Sequence, residues 1–452
     1  MRSTAVHGGP AEGTDARVFA RRRLRSRPLV VPKTVVNCRG GTRPGFADHH
    51  SSMADLPPSL QPGAASRGRV PRRIGLLHQG DRWWFAGVNY IHTVLRQLDL
   101  LPERPATSLL LKRGLEHLYD EVDAERISYD GLSGPSWRRR IGLLRRGRWA
   151  RSLGTAIERS GCEAVFPLQF APPIELPVPW VGWIPDLQHL AMPENYEAAE
   201  RHERDRRFGD LVSRAELVVL SSESSRRDAL AFDPSTSERL RVVPFASVPP
   251  KAWWTDDPAA TASRLGLPDR FVLFPSQGWP HKGHDTLIAA LANVPDVHLV
   301  LTGVDPQDAA RGTWVAELVD RSGVRDRTTM LGFRSRREVF ALLRRAVAVV
   351  QPSRFEGWSL LVEDAIAAGR PIVLSDLPVH REQCPERVMP VHWFEAGDEI
   401  GLARMLDEAW TTHRPGPQQE LAEIGRTASE ARGRASANLL LEVLGEAIDG
   451  SR

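Results

Sequence analysis

The run FEGWSLLVEDAIAAGRPIVLSD, from Phe355 to Asp376, constrains the fold most tightly, because it spells a loop, a helix, a hard stop and a buried strand in immediate succession. Glu356 lies on the loop. Gly357, Trp358, Ser359 and Leu360 follow at the helix entry, where the first backbone N–H groups have no intrahelical partner and suit an anionic phosphate. Glu363 and Asp364 come round about two turns further on. Gly369 then offers a left-handed cap and Pro371 opens the strand PIVLS. Loop, helix and buried strand in this order belong to a parallel β/α sheet.

The same rhythm starts at Arg73. Strands are expected at Ile74–Gln79, Ser108–Leu111, Glu163–Leu168, Trp180–Ile184, Leu217–Ser221 and Leu240–Pro244. A Pro-rich exit, RVVPFASVPP, precedes a hinge between Pro249 and Leu267. A second series then begins at Phe271–Pro275 and continues through HLVLTG and AVAVVQPS. A chain of 452 residues exceeds what one core usually supports, so the reading is an α/β protein with two Rossmann-like domains of parallel sheet facing a cleft. The expected division is residues 73–250, residues 251–434, and a C-terminal helix at 435–452 crossing back to the first domain.

Charge sets the N-terminus apart. Residues 1–52 hold ten basic and three acidic side chains, which gives that segment +7 and leaves −3 for the rest of a chain of formal net charge +4. Residues 1–72 read as a disordered extension with a linker at Pro57–Gly68. The preferred reading has Met53 as the natural start, with a disordered arm or a targeting segment as the other options. Cys38, Cys162 and Cys384 are isolated and odd in number, which argues against a disulfide framework and a zinc cluster. No apolar run approaches the ~20 residues of a membrane span.

In the second half, a strand feeds SQGWPHKGHDTLIAAL, where Lys282 follows a tight turn and precedes an amphipathic helix. Leu331-Gly332-Phe333 forms a further turn before a helix near Ser335. Loops after successive strands thus collect at one sheet edge. No G-x-x-x-x-G-K-[ST], H-E-x-x-H or G-x-S-x-G motif is present, and no dinucleotide fingerprint follows Ile74.

Glu356 and Asp364 stand in an acid-x7-acid spacing that resembles the signature of glycosyltransferase family 4, retaining enzymes of GT-B fold, with Asp364 where a Glu is usual. The resemblance covers roughly Arg73 to Ala447 and is more specific in its C-terminal half. It implies transfer of a hexosyl or deoxyhexosyl group from a nucleoside-diphosphate sugar to an acceptor hydroxyl, in surface polysaccharide or glycolipid assembly. Glu356 would orient the donor sugar and Asp364, or neighbouring Glu363, the ribose. Lys282 and the helix entry would hold the diphosphate. A flexible ammonium there neutralises the leaving group, so no metal or other cofactor is expected. Gln277 occupies a position where an Arg is usual, which calls either for a larger share from Lys282 or for another cation from the Arg334–Arg337 loop. The turn at Gly332 and Phe333 would meet the nucleobase. A turn at Ala86-Gly87 would bring Gly87 to the donor phosphate.

On the acceptor side, Pro185-Asp186 should end a strand at the carboxyl edge of the first sheet, where open α/β sheets bind ligands. Asp186 and His189 are therefore candidates to meet a sugar or lipid-linked glycan, with scaffolding the competing role for His189. The basic segment Ser136–Leu153 interleaves Arg138, Arg139, Arg145 and Arg146 with Trp137, Ile141, Leu143, Leu144 and Trp149. It suits either an interfacial helix on anionic lipid or a packed stripe with a solvated face. The expected setting is cytoplasmic, peripheral at the inner membrane face, with no nucleic-acid partner. A nucleotide-sugar epimerase and a catalytically silent binding partner are the alternative readings.

Overall fold

A computed structural model describes residues 69–80, 85–130, 139–308, 312–384 and 388–451, with 139–146 as helix backbone alone. The N-terminal extension, the linker and the side chains of Trp137, Arg138, Arg139, Ile141, Leu143, Leu144, Arg145 and Arg146 lie outside the described residues.

Seven parallel strands form the first sheet: β1 (Arg73–Leu77), β2 (Ala106–Lys112), β3 (Glu125–Tyr129), β4 (Ala164–Leu168), β5 (Trp180–Trp183), β6 (Leu217–Leu220) and β7 (Leu240–Val242), in the order 3-2-1-4-5-6-7. Six more form the second: β8 (Val272–Pro275), β9 (Leu299–Thr302), β10 (Thr328–Met330), β11 (Ala348–Gln351), β12 (Ile372–Ser375) and β13 (Val391–Phe394), in the order 10-9-8-11-12-13. Helices cover both faces of each sheet, so the central strands are buried throughout and read as continuous apolar runs. Each order reverses once, between β1 and β4 and between β8 and β11. Loops leaving the carboxyl ends of those neighbours diverge and open a crevice.

Two expectations change. The turn expected at Ala86-Gly87 is the first turn of the helix Phe85–Leu98, and Gly87 is buried on it. Val88, Ile91, Val94, Leu95 and Leu98 follow at helical spacing, and their burial continues the helix back through Gly87. The C-terminal helix begins at Gln419, well before Ala435, and runs to Gly450. Its first half packs on the helix Leu360–Ala367, where Gly425 leaves no room for a side chain against the Ile366 carbonyl. Its second half enters the first domain, where Leu440, Leu441 and Leu444 share a core with Ile74 and Val94, and Ser436 donates to Gln97 Oε1 at 3.0 Å. One helix therefore staples both domains.

Candidate active site

The site lies at the crevice of the second sheet. Lys282 leaves the loop after β8 and Glu356 the loop after β11, the two strands on either side of the reversal. Lys282 Nζ donates to Glu356 Oε1 at 2.7 Å and Oε2 at 2.9 Å. Gly283 sets the lysine's position: its φ of +75° is open to glycine, and a Cβ there would strike the Pro352 carbonyl. Gln351 Nε2 and Ser353 Oγ each donate to Glu356 Oε1 at 2.6 Å. Burial alone would raise the Glu356 carboxyl, but the Lys282 charge and the hydrogen bonds from Lys282 and Ser353 outweigh it and hold the group below the usual carboxylate range. Glu356 is thus an ionised acceptor, 7% exposed, aimed by its neighbours. Gln351 and Ser353 escaped the sequence reading, although both stand just ahead of the acid in QPSRFEG.

Gly357 explains how the first domain reaches this point. A Cβ on it would collide with the Pro185 carbonyl oxygen and lie 3.1 Å from Asp186 Cβ, so the end of β5 closes directly over the loop. Asp186 therefore sits against Gly357, the residue after Glu356, its Oδ1 accepting from the Gln188 backbone N–H at 3.1 Å. Trp358, expected at the donor, instead turns its indole into the first-domain core and donates to the Phe245 carbonyl at 2.7 Å. A large apolar ring beside an apolar interface gains more by burial than by facing a polar crevice. Ser359 caps the helix Leu360–Ala367 by accepting from Val362 N–H, while its own N–H is taken by Gln383 Oε1 at 3.0 Å. The Ser359 N–H is therefore not open to an anion at this entry.

The two neighbouring acids on that helix part company. Glu363 faces the C-terminal helix and the helix Pro378–Gln383, from which Arg432 Nη2 and Gln383 Nε2 donate to it at 2.6 and 3.1 Å in full burial. Asp364 faces the interdomain crevice. Arg336 grips it through Nη1 at 2.8 Å and Nη2 at 3.0 Å, and Ser247 Oγ, from the exit of the first domain, donates at 2.5 Å. Arg336 is therefore bound to the acid, and Arg337 pairs with Asp256, so neither stands free to replace the missing arginine beside Gln277. Gln277 itself accepts from Trp279 Nε1 at 3.2 Å.

Gly332 and Phe333 follow β10 at the same edge. The Gly332 carbonyl accepts from Gly303 N–H at 2.8 Å, and the Phe333 ring is 52% exposed, an unusual state for so large an apolar group. His189 behaves differently from Asp186. It is buried between Tyr196 and Phe208, its Nε2 bonded to Asp205 at 3.1 Å, and burial lowers its proton affinity. It braces the first domain rather than facing the crevice. Trp149 is likewise buried in the first-domain core, which removes it from any interfacial stripe. No helix among the described residues is long and apolar enough to cross a membrane.

Residues 260–412 match the family described as glycosyl transferases group 1. A D-inositol 3-phosphate glycosyltransferase of Mycolicibacterium gilvum (strain PYR-GCK) is 30% identical over 176 residues, covering 37% of this chain and 39% of that protein. The chain thus spans well under half the length of the curated relatives it matches. Among solved structures, sucrose-phosphate synthase of Thermosynechococcus elongatus superposes with a TM-score of 0.56 at 18% identity, over 81% of this chain and 94% of that one. Anabaena HepE in complex with UDP-glucose gives 0.56 at 17% identity, over 84% and 98%. Two parallel sheets flanking a crevice, superposable on both, give this chain the GT-B fold, and its residues 260–412 are similar to glycosyl transferases group 1.

Proposed function

We propose that this chain transfers a hexosyl or deoxyhexosyl group from a nucleoside-diphosphate sugar to an acceptor hydroxyl with retention of anomeric configuration. The observation that carries the reading is the Lys282–Glu356 pair astride the reversal of the second sheet, ahead of the entry to the helix Leu360–Ala367. The UDP-glucose bound by Anabaena HepE is a donor of this class, and the D-inositol 3-phosphate in the mycolicibacterial relative's name is an acceptor with free hydroxyls.

In the transfer, the bond between the anomeric carbon and the diphosphate oxygen breaks as the bond to the acceptor oxygen forms. The acceptor proton passes to the departing phosphate on the same face. Lys282 and the N–H groups of Gly357 and Trp358 carry the charge that develops there, which leaves no step in need of a divalent ion. Glu356, ionised and held by Gln351 and Ser353, accepts from hydroxyls of the donor sugar. Asp364 meets the ribose, and Gly332 and Phe333 the base. Asp186 faces the acceptor. We place the reaction in surface polysaccharide or glycolipid assembly, at the inner face of a membrane.

Melting the protein with individual nucleoside-diphosphate sugars tests the donor half. Ligand at ~100-fold over its dissociation constant adds about 2.7 kcal/mol of apparent stability. Product anomer analysis by NMR tests the rest. An inverted product would refute retention, and a donor changed in its sugar without any acceptor would replace transfer by epimerisation.

A further inference from the structure

A fully buried histidine stands within electrostatic reach of the Lys282–Glu356 pair and takes no part in transfer as described. His380 lies on the helix Pro378–Gln383, one turn before Gln383. Its Nδ1 is 2.8 Å from the Ser375 carbonyl at the end of β12. A carbonyl only accepts, so the ring carries its proton on Nδ1 and leaves a lone pair on Nε2. That Nε2 is buried with no partner among the described residues. A phenyl ring would fill the same space without an unmet polar atom, so packing alone does not account for an imidazole here. The Nδ1–H also points near Ser375 Oγ, at 3.3 Å, and Ser375 Oγ gives its own proton to the Ser353 carbonyl at 2.7 Å. Ser353 Oγ in turn donates to Glu356 Oε1 at 2.6 Å. His380, Ser375, Ser353 and Glu356 thus form one series across the ends of β12 and β11, with both serines fully buried and no water to compete.

We propose that His380 is a positioning residue for transfer, fixing the direction of the Glu356 carboxylate through the Ser375 and Ser353 hydroxyls. It rests on the transfer reading, since the donor sugar is what Glu356 must meet. A lone serine hydroxyl rotates freely. With the His380 N–H on its oxygen, the Ser375 hydroxyl is left to point its proton at the Ser353 carbonyl. That contact holds Ser353 at the exit of β11, and Ser353 supplies one of three donors on Glu356 Oε1, beside Lys282 and Gln351. Burial lowers the proton affinity of His380, so the ring stays neutral and does not rival Lys282 as counter-ion to the carboxylate. A displacement of about 1 Å in such a group can cost roughly 100-fold in rate, which makes its support part of the chemistry.

Three variants test it. His380→Phe keeps the ring volume and removes the N–H, His380→Asn returns an N–H where Nδ1 stood, and Ser375→Ala cuts the series at its middle. Ser375→Ala is the mildest change and keeps the test decisive where a ring substitution fails to fold. The first readout needs no turnover: the NMR resonance of the Glu356 carboxyl carbon, assigned by its loss in Glu356→Gln. It should be displaced in His380→Phe and Ser375→Ala and return toward wild type in His380→Asn. The second is nucleoside-diphosphate release from the nucleoside-diphosphate sugar that most raises the melting temperature. His380→Phe and Ser375→Ala should each lower kcat about 10-fold, and the double variant should lose no more than either alone. Affinity for the free nucleoside diphosphate should stay within about twofold, and His380→Asn should recover most of the rate. Losses that add in the double variant, a loss that Asn does not repair, or a Glu356 resonance unmoved in both single variants overturns the positioning role. A missing melting response to every nucleoside-diphosphate sugar, with the resonance still displaced in the variants, refutes the transfer reading and leaves the support of Glu356 standing.

Discussion

Glu382, on the second-domain helix Pro378–Gln383, accepts from the backbone N–H of Glu223 across the domain boundary, at 2.9 Å to Oε1 and 3.1 Å to Oε2. Its carboxylate also reaches Ser224 N–H at 3.3 Å, so it sits on the N-terminus of the helix Glu223–Phe232, where negative charge is favoured. The next residue, Gln383, holds both the N–H and the carbonyl of Ser359 at 3.0 Å. The contact between the domains and the shape of the loop after Glu356 thus share one short helix. Glu382→Ala removes about 1 kcal/mol from the closed state and should raise donor KM roughly fivefold at a near-constant melting temperature. Steady-state kinetics on the folded variant decide it, and an unchanged donor KM refutes the coupling.

Gly357 marks the tightest approach of the two domains. Gly357→Ala must push the Pro185 carbonyl away or shift the acid loop. Overpacking of this kind costs about 1 to 3 kcal/mol. Turnover should fall roughly 10-fold or more. A Gly357→Ala enzyme of normal rate would show that the loop moves freely and that closure over it is dispensable.

The parts of this architecture that announce themselves in sequence are those buried on all sides. The runs that form β4, β6, β9 and β11 are continuously apolar and punctuated by turn residues, so period and composition agree. The edge strands β3 and β13, ERISY and VHWF, each bury only two residues, and carry too little apolar signal to stand out. In the same way Gln419–Arg434 opens the long C-terminal helix with few large apolar residues, because it packs through glycine and a buried Arg432–Glu363 pair. Within the site, Lys282 and Glu356 were legible from their turn and helix contexts. The roles of Trp358 and His189 were not, since which way a side chain turns depends on the domain opposite. Arg336 on Asp364 joins residues far apart in the chain and left no local pattern at all.

Acid should destabilise this protein well above the carboxylate range. His284 is fully buried, its ring 4.7 Å from Phe274 and 5.9 Å from Trp314, and burial pushes its pKa down to about 3. Burial lowers His281 to about 3 and His413 to about 4 as well. These groups stay neutral in the folded state while the unfolded chain takes up protons near 6.5. Their contribution is therefore fully present above that value and is lost as pH falls toward 4, at about 1.4 kcal/mol per pH unit for a site as buried as His284. Denaturant midpoints between pH 7 and 4 should fall accordingly, and His284→Phe, which keeps the ring packing, should flatten the slope by that amount. A variant with the wild-type slope would mean His284 is already protonated in the folded state.

In the proposed transfer Lys282 and Glu356 bear the chemistry, and their contact separates two effects. Lys282→Ala takes away the cation at the leaving group, which typically costs about 3 to 4 kcal/mol of barrier, or roughly 100- to 1000-fold in turnover. The loss should be the same with and without EDTA. It also leaves Glu356 buried without its counter-ion, so the carboxyl rises and turnover of the variant should recover in part with increasing pH, a response absent from wild type near neutrality. Glu356→Gln should damage transfer while sparing affinity for the free nucleoside diphosphate. Asp364→Asn should do the reverse, weakening nucleotide binding. Asp364→Glu carries an extra methylene into the space held by Arg336 and Ser247, and should lose affinity too despite keeping the charge. Each comparison requires a wild-type melting transition. Near-normal turnover in folded Lys282→Ala would remove the ammonium from the mechanism, and strict dependence on a divalent ion would replace it.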